Sequence, residues 1–231
     1  MKDFAEFESA QGLNFKNKNL LKQAFIHRSF INENPDVGVS HNERLEFLGD
    51  AVLELVTTEE LFHRYPEKPE GDLTAIRAAL VNTVSISEAA TDLGMNDYLL
   101  LSKGESRDKG KAREYILANT FESMIGAIYV DGGYEPAQGF VSRALFGKID
   151  RIVKQKLWRD PKSLVQEKAQ EILGVTPRYE VVEESGPDHD KNFTIGIYFG
   201  NDLIAKGLGK SKQEGEQEAA KEAISIRNWQ D

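Results

Sequence analysis

The chain has no cysteine, so disulfides and thiolate metal sites are excluded and a reducing compartment is open to it. Only 7 of its 231 residues are proline, too few for a collagen-like or proline-rich disordered chain. No apolar run reaches the roughly 18 residues that a membrane-spanning helix needs. The opening residues, MKDFAEFESA, mix both charges and lack the apolar stretch of about 7–15 residues found in secretory signals. A cytoplasmic protein with no membrane partner is expected. A basic excess is missing too: the net charge is -9, which argues weakly against a nucleic-acid partner, since phosphate binding usually leaves a basic footprint.

What remains is an ordinary folding composition, 40% hydrophobic and 29% charged, in a chain long enough for two cores. From Leu20 to about Phe146 apolar residues recur at helical spacing, broken at Pro35, Pro66, Pro69, Gly94, Gly104, Gly110 and Gly132-Gly133. The spacing predicts helices over 19–29, 42–65, 72–93, 113–130 and 136–157, the last opened by Pro136. The stretch RIVKQKLWRDP then reads as a connector. Beyond it, a helix over 162–173, three alternating runs from Arg178, Phe193 and Leu203, and a helix over 212–226 spell α-β-β-β-α. The expected division is an all-α domain over 1–150, a linker over 151–160 and an α+β domain over 161–231.

The stretch HNERLEFLGD, His41 to Asp50, interleaves acids with Leu45, Phe47 and Leu48. On a helix Glu43, Glu46 and Asp50 fall within an arc of about 60°, while the other faces are almost wholly apolar. The segment REYILANTFESMIGAIYV repeats the peculiarity: between Tyr115 and Val130 its one charged residue is Glu122, with Asn119 a turn earlier. Buried carboxylates must be paired, protonated or metal-bound. If the two helices pack face to face, Glu46, Asp50, Asn119 and Glu122 converge as hard oxygen ligands suited to Mg²⁺ or Mn²⁺. Solvent-facing acids on amphipathic helices would give the same spacing, so both readings stand at this point. Glu54 shares nearly the same face and has no assigned role. A Ser-His-Asp or Cys-His site is disfavoured, because His27, His41, His63 and His189 lie in unlike contexts without a nucleophile elbow.

HNERLEFLGD resembles the signature of ribonuclease III. AFIHRSF before it, PEGDLTAIRAALV after it and ILANTFESMIGAIYVDGG later occur in that family's order. DPKSLVQEKAQE and GKSKQEGEQEAAKEAI resemble a double-stranded RNA-binding domain, and the whole resemblance runs from about Leu13 to Ile226. It implies a homodimeric endonuclease that cuts double-stranded RNA with Mg²⁺, Mn²⁺ being a substitute. The products would carry 5′-phosphates and short 3′ overhangs, and the substrates would be ribosomal and messenger RNA. By the same resemblance Asp50 and Glu122 are the catalytic pair, and Glu46, Asp50, Asn119 and Glu122 are the metal set. Glu43 and Glu70 match accessory acids near the site. Phe47 matches a position inserted into the partner subunit, although a core phenylalanine would satisfy the same pattern.

Asn119 departs from that pattern, which has Asp there. An amide oxygen still ligates a hard cation but carries no charge, so weaker metal binding with activity retained is expected. The alternative is a cleavage-impaired binder of double-stranded RNA. In the C-terminal domain, Lys206, Lys210 and Lys212 are expected to crowd the turn into the last helix, where phosphate is favoured. Gln166, Glu167 and His189 are implied to face the minor grooves of A-form RNA. Gln213 and Gly215 stand where the family usually has a lysine and a helix former.

Overall fold

The computed structural model describes residues 3–187 and 191–229, and it divides after Trp158 into two units. The first consists of helices α1 (Phe4–Ala10), α2 (Lys18–Ala24), α3 (Arg28–Glu33), α4 (Glu43–Arg64), α5 (Glu70–Leu80), α6 (Thr83–Asp92), α7 (Lys111–Gly132), α8 (Tyr134–Leu145) and α9 (Ile149–Lys154). Its all-helical character is the one the apolar spacing predicts. Helix α1 was outside the predicted set, being short and rich in charge. Asp3 caps it, Phe7 packs among Phe25 and Tyr98, and its Glu8 is buried yet satisfied by Lys18 at 2.6 Å and the Phe15 N–H at 2.5 Å.

Three predicted helices are interrupted, each for a local reason. The first ends at Ala24, because Ile26 leaves the helix to form a parallel bridge with Leu100. The second breaks into α5 and α6 at Asn82, whose extended backbone lets its side chain cap the Ser85 N–H at 2.9 Å. The third starts at Tyr134, two residues before Pro136, and is split by a 3₁₀ turn over Phe146–Lys148. In the stretch expected to be a linker, Arg151–Lys154 complete α9 and Ile152 is buried.

Helix α7 runs through the middle of this unit, burying residues on every side, among them Ile116, Phe121, Met124, Ile125 and Ile128. Each large side chain so buried contributes about 1.5–3 kcal/mol. Its Thr120 and Ser123 enter the interior with their hydroxyls satisfied, each donating to the carbonyl four residues earlier, at 2.7 Å in both cases. Against α7 lies α4, with Leu45, Val52, Leu53, Val56 and Leu61 inward. The two helices touch backbone to backbone: a methyl on Gly49 would overlap the carbonyl oxygen of Glu122, and one on Gly126 would overlap that of Leu45.

The second unit is α10 (Pro161–Leu173), β1 (Arg178–Ser185), β2 (Asn192–Phe199), β3 (Asp202–Gly209) and α11 (Lys212–Arg227). The strands form an antiparallel sheet in the order β1-β2-β3, as the α-β-β-β-α reading predicts. Alternation along β2 turns Ile195, Ile197 and Phe199 inward, where Val165 and Ala169 of α10 and Ala219, Ala220 and Ala223 of α11 complete the core with Trp229.

The helix crossing is open to direct test. Gly49→Ala is expected to lower stability by about 3 kcal/mol, since neither facing backbone can yield. Gly139→Ala, where a methyl meets only the end of the Arg143 side chain, should instead raise it by about 0.5–1 kcal/mol. Urea unfolding of both variants measures the contrast.

Candidate active site

The start of α4 is fixed by Asn42, a buried polar residue that the sequence reading did not single out. Its N–H donates to Ile26 O at 2.9 Å and its side-chain amide to Ala24 O at 3.1 Å. Its carbonyl accepts from Leu45 N and Glu46 N at 2.8 and 3.0 Å, and Ser123 Oγ of α7 lies 3.4 Å away. The AFIHRSF segment therefore holds the first turn of α4 beside the middle of α7.

One turn further, the crossing at Gly49 puts Glu46 and Asp50 of α4 opposite Glu122 of α7. Burial raises the Glu122 carboxyl to about 7, and the negative charges of Asp50 and Glu46 push it the same way. Glu46 is also raised, first by burial and then by Glu43 and Asp50. No basic side chain pairs with Glu46, Asp50 or Glu122 among the described residues. Asn119 stands half-buried one turn before Glu122, and its amide makes no hydrogen bond among them. Three carboxylates that feel one another, with an amide oxygen at hand and no cation, form a donor set whose chemistry fits a hard divalent metal ion. The described Asp, Glu and His side chains are not already closed on one point as a group of three or more ligands.

Of the remaining predicted residues, Glu43 is near enough to raise Glu46 but has a cation beside it, Arg28 at 3.5 Å, with His41 Nδ1 3.8 Å away; the others separate. Glu54 turns toward α5, where Arg77 lies 4.0 Å away. Glu70 does not join the cluster within the chain. The Pro66-Pro69 turn delivers it beside the far end of α4, about 20 Å along that helix from Glu46, where Thr74 Oγ1 donates to it at 2.8 Å. There it lines a 620 Å³ cleft with Phe62, Tyr65, Leu73 and Arg77. Phe47 is no core residue: it is 83% exposed and heads an apolar stripe continued by Leu55 and Phe62.

In the second unit Gln166 and Glu167 are exposed on α10. The helices α10 and α11 are tied at their N-terminal ends by Lys162–Glu216 and Gln217–Asp160, at 2.6 and 2.7 Å. Lys210 and Lys212 flank Ser211, the N-cap of α11, and Lys212 lies 3.9 Å from Glu184. Lys206 is a correction. It sits within β3 between inward-facing Ala205 and Gly207, so its side chain points to the face opposite the helices and not into the turn. The N-terminus of α11 already holds an acid, Glu214, whose carboxylate accepts the Lys210 N–H at 2.7 Å. Gly215 is not a weak link in the helix: it is buried against Ile195 and the Phe193 carbonyl, where a side chain would not fit. His189 lies outside the described residues.

A raised carboxyl has a stability signature. Folding binds the Glu122 proton more tightly than the unfolded chain does, so its contribution is intact below pH 4.5 and is lost as pH rises through about 7. In the absence of divalent metal, Glu122→Gln is expected to match the parent at pH 4.5 and exceed it by about 1–2 kcal/mol at pH 8, allowing for partial solvation of the site. Urea unfolding at the two pH values measures this.

Comparison with known proteins agrees with both units. The Ribonuclease-III-like family model matches residues 17–149, and the double-stranded RNA binding motif matches residues 161–226. Ribonuclease 3 of Carboxydothermus hydrogenoformans is 44% identical over 219 residues, covering 95% of this chain and 93% of that protein. Ribonuclease 3 of Natranaerobius thermophilus is 43% identical over 219 residues, covering 95% and 94%. Among solved structures, the nuclease domain of Campylobacter jejuni ribonuclease III aligns with a TM-score of 0.56 at 41% identity, over 65% of this chain and 96% of that one. A second structure of that domain, with a TM-score of 0.56 and 42% identity over 62% and 95%, is described for structural flexibility in its region of dimer formation. Matched from its first long helix to its last, the chain belongs to the ribonuclease III family, the endoribonucleases that act on double-stranded RNA.

Proposed function

We propose that Glu46, Asp50, Asn119 and Glu122 hold Mg²⁺, with Mn²⁺ as a substitute, and that duplex RNA is cut there to 5′-phosphate ends with short 3′ overhangs. The observation that carries this is Glu122, half-buried beside two further acids with no cation of the chain's own. When bound, a divalent ion lowers the pKa of its water and stabilises charge on the phosphate oxygens. The chain's part is to hold the oxygen donors on two helices that cannot slide, because their backbones already touch at Gly49 and Gly126. Exposed Asp50 forms the outer wall and half-buried Glu122 the inner one. The family match gives the cleavage-impaired alternative no support over the enzyme.

The working unit in this reading is a homodimer, which presents two acid clusters to the two antiparallel strands of a duplex. The exposed stripe Phe47, Leu55 and Phe62 supports it. Two α4 helices packed antiparallel about a two-fold axis would seat each Phe47 at the partner's cleft, which lies about 20 Å along the stripe. The same packing would bring the partner's Glu70, a cleft residue, beside Glu46, giving this otherwise distant acid its accessory place.

Gln166, Glu167, Lys210 and Lys212 form the RNA-contacting set of the second unit, with His189 assigned by resemblance alone. Placed along α10 and at the start of α11, two helices tied to each other, they suit the shape of A-form RNA more than its sequence. The cellular role in this reading is processing of ribosomal and messenger RNA in the cytoplasm. No described helix is long and apolar enough to cross a membrane.

Two experiments test these assignments. Asn119→Asp adds a formal charge to the site, so the Mg²⁺ concentration for half-maximal cleavage of a perfect duplex should fall on the order of tenfold. An unaltered metal titration would remove Asn119 from the site, and products without 5′-phosphates would defeat the assigned reaction. Phe47→Asp should convert a dimer to a monomer in sedimentation equilibrium and lower cleavage at least tenfold at micromolar protein. A parent chain that sediments as a monomer at that concentration would contradict the dimer.

A further inference from the structure

The segment AFIHRSF holds Asn42 and so the first turn of α4, but one of its side chains takes no part in that. Arg28 opens α3 with its side chain 68% exposed, 3.5 Å from Glu43, and its guanidinium makes no hydrogen bond among the described residues. On the other side of Glu43, His41 Nδ1 is shut off from water, lacks a hydrogen bond, and stands 3.8 Å away. The backbone beneath Arg28 is well anchored. The His27 N–H donates to Leu100 O at 3.1 Å, the His27 ring caps α3, and Ser29 Oγ accepts from Ser102 N at 3.1 Å. An exposed guanidinium on an anchored stretch of backbone, loosely steered by Glu43, therefore stands at the rim of a cluster whose other acids pair with no cation among the described residues.

We infer that Arg28 binds a backbone phosphate of the RNA strand being cut, with Glu43 as the group that aims it; this rests on the acid cluster being the cleavage site. A polyanion approaching Glu46, Asp50 and Glu122 meets repulsion that a site-bound metal offsets only at its own position, and neighbouring phosphates need a second counter-charge at the rim. Arginine suits the task. Its planar fork can keep one edge toward Glu43 and give the other to two phosphate oxygens, and it sheds water more readily than lysine. An exposed ion pair such as Arg28 with Glu43 is by itself worth little to stability.

The test uses the full chain on duplex RNA. Arg28→Gln is expected to raise KM about tenfold and leave kcat within about twofold. In a Glu122→Gln background, which keeps the duplex intact, the same change should reduce the slope of log binding constant against log salt by about 0.9, the loss of one phosphate contact. Arg28→Lys should restore that slope while recovering only part of KM. A slope and KM equal to the parent's overturn the assignment of Arg28 alone, provided the parent cleaves. Loss of kcat or of melting temperature at unchanged KM and slope makes Arg28 a structural counter-ion of Glu43 and overturns it equally. A parent chain that cuts no duplex at any metal concentration defeats the site itself and this inference with it.

Discussion

The backbone contact between α4 and α7 is the constraint on which the rest of the first unit depends. Gly49 meets the Glu122 carbonyl and Gly126 meets the Leu45 carbonyl, so the two helices lie closer than side chains would allow. Glu46 and Asp50 bracket Gly49 in the chain, and Glu122 lies one turn before Gly126. The residues that set the distance between the helices therefore also set the distance between the acids. Asn42 and Ser123 add the rotational and axial register, since a hydroxyl of α7 lies 3.4 Å from the carbonyl that starts α4.

That closeness has a cost in stability. Apolar packing around Phe121, Met124 and Ile125 holds the Glu122 carboxylate where it gains a proton near neutral pH, and no described lysine or arginine pairs with it. A charge imbalance of this kind is tolerable only in a unit whose core is large enough to carry it, and the many buried side chains of α7 provide that surplus. In the proposed metal set Asn119 would soften the imbalance, offering an oxygen donor without a negative charge.

In the proposed reading, local charge on the second unit offsets the net charge of -9 that an acidic chain brings to a polyanionic substrate. Charge matters locally, and the lysines flanking Ser211 stand at the positive end of the α11 dipole. Glu214 occupies part of that helix end, so a phosphate bound there as proposed would compete with an internal carboxylate and bind in a salt-sensitive way. Gly215, which costs helix propensity, is required by the close seat of α11 on the sheet.

Much of this was legible in the residues. Helical periodicity announced an all-α unit, alternation announced three strands, and the lone Glu122 in an apolar helix announced a carboxylate set among apolar side chains. Helix ends were harder, because the breaks at Ile26 and Asn82 depend on a bridge to Leu100 and a side-chain cap, in stretches whose residues would also suit a continuing helix. Lys206 was misplaced because strand alternation, not closeness in sequence, decides which face a side chain takes. By itself the sequence determined which residue types bear oxygen, charge and bulk, and at what spacing along each element. Only the tertiary structure decided that Glu46, Asp50 and Glu122 share one field while Glu70 stands at the other end of α4, because proximity across helices is set by how closely their backbones can approach, a property of packed pairs and not of either segment alone.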